Sequence, residues 1–177
     1  MHFVVFDLET KQSFDEVGGF KNAHKLGISV GVVYDSESDK TTAYRENEMD
    51  DLVEQLQSAD LVIGFNNFGF DNIVLQPYTI VTLDALPGLD LMQKLQQALG
   101  HRVSLDNVAK GTLNSEKSGG GLQAIEWYRK GEWDKLISYC EQDVLITRDI
   151  YLFGKENGYV QFYDQFKRAV RKVDVQW

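Results

Sequence analysis

The chain opens on residues 2–10, HFVVFDLET, an apolar run that ends with two acidic side chains. The part from His2 to Phe6 is short, rich in β-forming residues and bounded by polar ones, which is typical of a buried strand. Asp7 and Glu9 stand two positions apart, and alternate side chains of a strand leave the same face. The pattern predicts two neighbouring carboxylates near the C-terminal end of an inner strand, where open α/β sheets place ligand sites.

Two interpretations fit this pair of carboxylates. Ligation by the oxygens of Asp7 and Glu9 would favour Mg²⁺ or Mn²⁺ over zinc, which prefers nitrogen and sulfur. The simpler interpretation is a strand that becomes polar where it reaches the surface. Taken alone, the pair favours the simpler one.

The rest of the chain predicts an α/β fold with a central mixed sheet flanked by helices. Residues 26–34 and 41–45 flank a polar turn and predict an antiparallel hairpin. The hairpin has no crossover helix, which excludes a purely parallel doubly wound sheet. Further strands are predicted at 60–65 and 80–83, and helices at 67–76, 90–99, 122–130 and 134–155, with two more capped by Asn47 and Ser104.

Composition predicts one globular domain over residues 1–177. The chain is 43% hydrophobic and 25% charged, and its two prolines mark no internal linker. The one cysteine, Cys140, excludes an internal disulfide framework and a cysteine-rich zinc site. No apolar stretch approaches the roughly 18 residues of a membrane span. We therefore expect a cytoplasmic protein with no membrane partner.

The net charge of −9 argues against a strong general affinity for nucleic acid, because phosphate contacts need a basic surface. A site built from carboxylates that bind divalent cations would account for part of this charge. We expect local basic character, and weak affinity without help from a partner or a fused domain. The basic residues that could supply it are Lys110, Lys117, Arg129, Lys130, Lys167, Arg168, Arg171 and Lys172.

A second acidic motif follows the strand at 60–65. Asn67 and Asp71 are four residues apart at the start of a predicted helix and would project from one face. A helix N-terminal cap with a favourable dipole explains them equally well.

A third motif lies within the long helix predicted at 134–155. Tyr139 and Asp143 repeat the four-residue spacing, and apolar neighbours predict that the carboxylate is partly buried. A buried carboxylate needs a cation or dense hydrogen bonding. A tyrosine at the edge of the core is common, so Tyr139 alone indicates little.

Taken together, the three motifs resemble those of the DEDD superfamily of 3′–5′ exonucleases, which have a ribonuclease-H-like fold. Asp7 and Glu9 match the first motif, Asn67 and Asp71 the second, and Tyr139 with Asp143 the third. The tyrosine is the mark of the DEDDy branch, since the histidine branch would need His where Ser138 stands. The resemblance runs from about His2 to Tyr151. Residues 104–109, SLDNVA, and 136–140, LISYC, are also similar to a compact bacterial branch of predicted exonucleases related to the exonuclease domains of B-family DNA polymerases.

The resemblance implies a metal-dependent exonuclease that releases nucleoside 5′-monophosphates from the 3′ ends of single-stranded DNA or RNA. Two ions, Mg²⁺ or Mn²⁺, would be held by Asp7, Glu9, Asp71 and Asp143, and Tyr139 would orient or deprotonate the attacking water. A helicase or another nucleic-acid-processing protein is a possible partner. The substrate-binding candidates are Leu8, Thr10, Asn67, Phe68 and Phe70, although core packing is expected for at least one of the two phenylalanines.

Two other functions stay open at the level of sequence. One is a structure-selective endonuclease on the same fold. The other is a non-catalytic module that binds nucleic acid or docks a partner, although the presence of all four carboxylates counts against a decayed site. The sequence does not separate DNA from RNA and does not indicate the oligomeric state.

Overall fold

The computed structural model describes residues 1–115 and 120–177, so Lys117 and the first glycine of the loop at 119–121 lie outside it. The strands are β1 (Phe3–Thr10), β2 (Ile28–Asp35), β3 (Lys40–Arg45), β4 (Leu61–Gly64), β5 (Gly88–Asp90), β6 (Tyr159–Asp164) and β7 (Ala169–Asp174). The helices are α1 (Phe14–Val17), α2 (Met49–Ser58), α3 (Asp71–Leu75), α4 (Leu91–Leu99), α5 (Leu105–Thr112), α6 (Gly121–Lys130) and α7 (Trp133–Asn157).

A five-stranded mixed sheet in the order β3-β2-β1-β4-β5 forms the centre of the fold. β1 is antiparallel to β2 and parallel to β4, with Val5 opposite both Tyr34 and Ile63. β2 and β3 form the predicted antiparallel hairpin, and β4 pairs with β5 in parallel. The architecture confirms the predicted α/β class with its mixed sheet and flanking helices.

The two faces of β1 are buried against different parts of the protein. Val5 belongs to the core that α7 covers, whereas Val4, Phe6 and Leu8 belong to the core on the side of α2. Because side chains alternate along the strand, Asp7 shares the face of Val5 and points toward α7. The strand's alternation therefore decides which helix meets the acidic residues.

Three predicted elements are corrected by the structure. The strand predicted at 80–83 is wrong, because Ile80 is fully exposed and the sheet's edge strand is instead β5. The helix predicted at 67–76 is shorter, since a turn at Asn66, with φ of 73°, delays its start to Asp71. Asn47 does not cap α2, because residues 46–48 form a 3₁₀ turn and Glu48 takes the cap position.

A second sheet, formed by β6 and β7 alone, was not predicted. Its first strand alternates between half-buried and buried residues, and Phe162 is buried against α5. α7 ends at Asn157, and Gly158 forms its C-terminal cap, as predicted. Gly158 lies in the left-handed region, and the chain turns there into β6. In the described part of the chain, no helix is long and apolar enough to cross a membrane.

The hairpin β6–β7 packs on α5 at a point where backbone meets backbone. A Cβ added at Gly111 would lie 2.5 Å from Cα and 2.6 Å from N of Phe162. Thr112 fixes the same contact, since its hydroxyl donates to the carbonyl of Gln161 at 2.6 Å and accepts from its N–H at 2.9 Å. This close approach needs glycine at position 111.

We predict that Gly111→Ala destabilises the protein by about 1–3 kcal/mol, because the added methyl group overpacks the contact between α5 and β6. Urea unfolding followed by tryptophan fluorescence measures the change. Gly120→Ala is the matched control, since a Cβ at Gly120 meets nothing within 4 Å. Equal stability of the two variants would contradict the tight docking of the hairpin.

Candidate active site

Three carboxylates meet where β1 passes under α7. Asp7, Glu9 and Asp143 each offer an oxygen, and these oxygens lie within 4.8 Å of one another. The two-residue spacing on β1 places Asp7 and Glu9 on the face that α7 covers. Glu9 is 8% exposed and Asp143 5% exposed. The structure therefore brings together the first and third sequence motifs, which are more than 130 positions apart in sequence.

Asp71 approaches the same strand from α3. It is the first residue of α3, and its Oδ1 accepts a hydrogen bond of 3.1 Å from the backbone N–H of Leu8. This bond ties the second motif directly to the residue between Asp7 and Glu9. All four carboxylates predicted from the sequence thus lie at the C-terminal end of β1.

The electrostatics of the group are those of carboxylates crowded away from water. The pKa of Asp71 is raised to about 7, chiefly by burial and in smaller part by the negative charges of Asp90 and Asp143. The N–H groups of Leu8 and of Asp71 itself oppose this shift by donating to the carboxylate. In the absence of a cation, a substantial fraction of Asp71 is therefore protonated at neutral pH.

The donor set fits one or more hard divalent cations. Every ligand atom in the cluster is a carboxylate oxygen, which suits Mg²⁺ and Mn²⁺. Carboxylates this close and this buried repel each other, and a cation between them relieves the repulsion. Asp7, Glu9 and Asp143 would hold such a cation, and Asp71 is joined to the same strand through its bond from Leu8.

Tyr139 lies one helical turn before Asp143 on α7 and is 4% exposed. Its ring packs edge-to-face on Trp127 of α6, with the centroids 5.7 Å apart. Trp127 therefore helps to fix the tyrosine beside the carboxylates. The sequence offered no signal for Trp127 beyond an aromatic residue on an amphipathic helix.

Cys140 is a further residue that the sequence did not mark as part of the site. Its thiol donates to the backbone carbonyl of Asp7 at 3.4 Å and approaches Asp7 Oδ2 at 3.6 Å. Burial, together with the negative charges of Asp7 and Glu9, raises the pKa of this thiol well above its ordinary value. The thiol therefore stays protonated and acts as a donor that positions Asp7.

Asp90 organises the segment that leads to Asp71. Its carboxylate accepts from the N–H of Asn66 at 2.9 Å, of Phe68 at 3.2 Å and of Gln93 at 3.0 Å. It is 2% exposed and caps α4 at the same time. The sequence indicated only the start of a helix at this position.

An apolar cavity of about 390 Å³ opens beside Glu9. Leu8, Thr10 and Phe70 of the predicted substrate-binding residues line it, together with Phe14, Leu122 and Ile125. The rings of Phe14 and Phe70 meet edge-to-face, 5.8 Å apart. Phe14, Leu122 and Ile125 lie outside the three motifs, and their sequence pattern alone does not distinguish them from other apolar residues.

Phe68 and Asn67 lie elsewhere. Phe68 packs over Gly88 of β5, where an added Cβ would meet its ring at 2.6 Å. Asn67 is 1% exposed, and its side chain packs against Gly64 at the end of β4. Their proposed contacts with substrate stay predictions, and Phe70 is the phenylalanine of the pair that faces the cavity.

Residues 4–153 match the family model of the RNase_H superfamily, and the chain therefore belongs to that superfamily. A solved structure similar to the chain is the family B DNA polymerase from the hyperthermophilic archaeon Pyrobaculum calidifontis, with a TM-score of 0.65 and 16% identity. The alignment covers 88% of this chain and 24% of the polymerase chain, so the similarity concerns the fold of a part of that enzyme. None of the curated proteins matches the chain. The superfamily and its acidic cluster support a nuclease in general terms.

We predict that Asp71→Asn stabilises the metal-free protein at pH 8 and has little effect at pH 4. The pKa of Asp71 lies above its ordinary 3.8 in the folded state, so the unfolded chain loses this proton first as the pH rises. The wild type therefore loses stability between about pH 4 and pH 7, by up to about 4 kcal/mol, and asparagine removes that loss.

Urea unfolding in the presence of EDTA at both pH values measures this difference. Asparagine keeps an oxygen that can accept from Leu8, so the comparison isolates the charge. Asp134→Asn is the control, because Asp134 is exposed at the start of α7. A wild type and an Asp71→Asn variant with the same pH dependence would contradict the buried, repelled state of Asp71.

Proposed function

We propose that the chain is a DEDDy-type 3′–5′ exonuclease that hydrolyses the terminal phosphodiester bond of single-stranded nucleic acid, and that residues 1–177 form one domain for this purpose. The observation that carries the proposal is the cluster of Asp7, Glu9 and Asp143 beside an apolar cavity, with Asp71 bonded to Leu8 of the same strand and Tyr139 one turn before Asp143. The match to the RNase_H superfamily and the similarity to a DNA polymerase support the same chemistry.

Two divalent cations would be bound, one by Asp7, Glu9 and Asp143 and the other by Asp7 and Asp71. Such a pair lowers the pKa of water and stabilises the attacking and leaving oxygens of an in-line displacement. The carboxylates fix where the scissile phosphate lies, and Cys140 and Leu8 hold Asp7 and Asp71 in place by hydrogen bonds. Tyr139, one helical turn before Asp143, orients the water.

The cavity beside Glu9 would receive the terminal nucleoside. Its volume of about 390 Å³ suits a single nucleoside, and its apolar walls suit the faces of a base. Phe14 and Phe70 present rings on which a base of any sequence can stack. A cavity of this size next to the carboxylates favours cleavage at an end over cleavage within a strand.

The activity test uses a 5′-labelled single-stranded oligonucleotide with Mg²⁺ or Mn²⁺. We expect shortening from the 3′ end with release of nucleoside 5′-monophosphates, and a loss of at least about 100-fold in Asp143→Asn, which removes one charged metal ligand. Tyr139→Phe should lose roughly 100-fold through disordered water. Asp134→Asn, on the same helix but exposed, should retain full activity.

The same preparation tests the endonuclease alternative. A circular single strand has no 3′ end, so an exonuclease leaves it intact. Cleavage of the circle by wild type, abolished in Asp143→Asn, would replace the exonuclease proposal with an endonuclease. Intact linear DNA and RNA with both metals would overturn nuclease activity altogether. Side-by-side rates on DNA and RNA of one sequence identify the substrate class.

Cation binding separates an enzyme from a non-catalytic module. We expect calorimetry with Mn²⁺ to show two binding events in the wild type and a thermal midpoint that rises with cation concentration. Asp7→Asn should lose both events, because Asp7 would contact both ions, whereas Asp134→Asn should keep them. A protein that binds single-stranded DNA tightly but binds no Mn²⁺ would favour the module.

A further inference from the structure

The turn between β6 and β7 projects an aromatic ring into solvent between basic side chains. Phe166 is 101% exposed, the most complete exposure of any phenylalanine among the described residues. Lys167 and Arg168 follow it, and both are exposed. Residues 165–168 are called the hairpin tip below.

The backbone of the hairpin tip is fixed by its own hydrogen bonds. Asp164 Oδ1 accepts from the N–H groups of Phe166 and Lys167, both at 3.0 Å, and Oδ2 accepts from Arg171 at 3.1 Å. Arg168 completes the turn in the left-handed region with φ of 50°. The closed turn thus fixes the backbone that presents Phe166 to solvent.

The hairpin itself is anchored to the body of the protein. Besides the contacts of Gly111 and Thr112 with β6, the ammonium of Lys110 lies 4.8 Å from the ring centre of Tyr163. Gln165 at the start of the tip donates to the side chain of Asn107 on α5. A ligand held by the tip is therefore held at a fixed place relative to the sheet.

A basic residue joins the hairpin tip to the second acidic motif. Arg102 lines a groove together with Phe166 and Lys167. Its guanidinium also donates to Oδ1 of Asn66 at 2.7 Å, and Asn66 begins the turn that leads to Asp71. Arg102 thus connects the groove to the turn that precedes Asp71.

We propose that the hairpin tip and Arg102 bind the single strand upstream of its 3′-terminal nucleotide, an inference that rests on the proposed exonuclease function. Phe166 stacks on a base, while Lys167, Arg168 and Arg102 contact phosphates. A chain of net charge −9 has to hold phosphates at local basic sites. Arg102 and Lys167 line the groove with Phe166, and the exposed Arg168 follows them in the hairpin tip. Four tip residues are too small an area for a stable protein interface, which needs roughly 800 Å² on each partner.

The test compares long and short substrates. The triple variant Phe166→Ala, Lys167→Ala, Arg168→Ala should raise KM about tenfold or more on a single strand of about 16 nucleotides. It should leave kcat/KM unchanged on a dinucleotide, which fills the terminal cavity but does not reach the tip. The control variant Ile80→Ala, Lys40→Ala, Lys155→Ala removes the same number of cations and one exposed apolar side chain elsewhere. It should behave as wild type on both substrates.

A binding measurement tests the same surface without turnover. In the Asp143→Asn background, fluorescence anisotropy of a labelled single strand should show weaker binding for the triple variant. For this variant, the slope of log K against log salt concentration should be shallower by about 1.4, the value for two lost phosphate contacts. Phe166→Trp should retain binding, and the emission of the new indole should be quenched by the strand.

The outcomes separate this proposal from the one on which it rests. A wild type that degrades both substrates, with a triple variant that matches it on the long strand, overturns the role of the tip alone. A wild type that degrades neither substrate overturns the proposed function, and the anisotropy arm then decides the role of the tip. If the wild type and the triple variant have the same affinity and the same salt slope, the role of the tip is refuted, whether or not the protein is an exonuclease.

Discussion

The repulsion between carboxylates buried at the end of β1 is the constraint on which this side of the molecule depends. Asp7 and Glu9 leave the central strand toward α7, which brings Asp143 down onto them, and Asp71 approaches the same strand from α3. Burial of like charges destabilises a fold unless protons or cations compensate. The pKa of Asp71 is accordingly raised, chiefly by burial and also by the charges of Asp90 and Asp143. A site held in this state is prepared to bind divalent cations, and binding would return part of the lost stability.

The surroundings of the carboxylates are built to hold them in place. The buried thiol of Cys140 and the N–H of Leu8 supply donors to Asp7 and Asp71, respectively. Asp90 fixes the turn before Asp71 by accepting three backbone N–H groups, although its own negative charge makes ionisation of Asp71 less favourable. Asp90 thus stabilises the local backbone, and its negative charge makes a cation beside Asp71 more favourable.

Charge is distributed unevenly over the protein, and this distribution bears on how an acidic chain would approach a polyanion. The net charge of −9 includes the four carboxylates of the site, and two divalent cations would offset four of those nine charges. Basic side chains then gather on the groove that Arg102 shares with the turn of the β6–β7 hairpin. Local attraction at this groove is compatible with overall repulsion, because charges beyond about 10 Å are screened at moderate ionic strength.

The sequence by itself determined the elements with strong periodicity and the chemical type of the site. The apolar run of β1, the long α7 with Gly158 at its end and the alternation of residues 26–34 each predicted their structure, because local pattern and tertiary burial agree in them. The spacing of Asp7 with Glu9 and of Tyr139 with Asp143 also fixed which side chains share a face. Tertiary structure alone decided the rest. β5 has three residues and is defined by pairing with β4, not by its own pattern, and α3 begins late because Asp90, 19 positions after Asp71, shapes the preceding turn. The roles of Cys140, Trp127 and Phe14 follow from contacts between segments that are distant in sequence. A cysteine or an aromatic residue in an apolar pattern does not indicate such contacts locally.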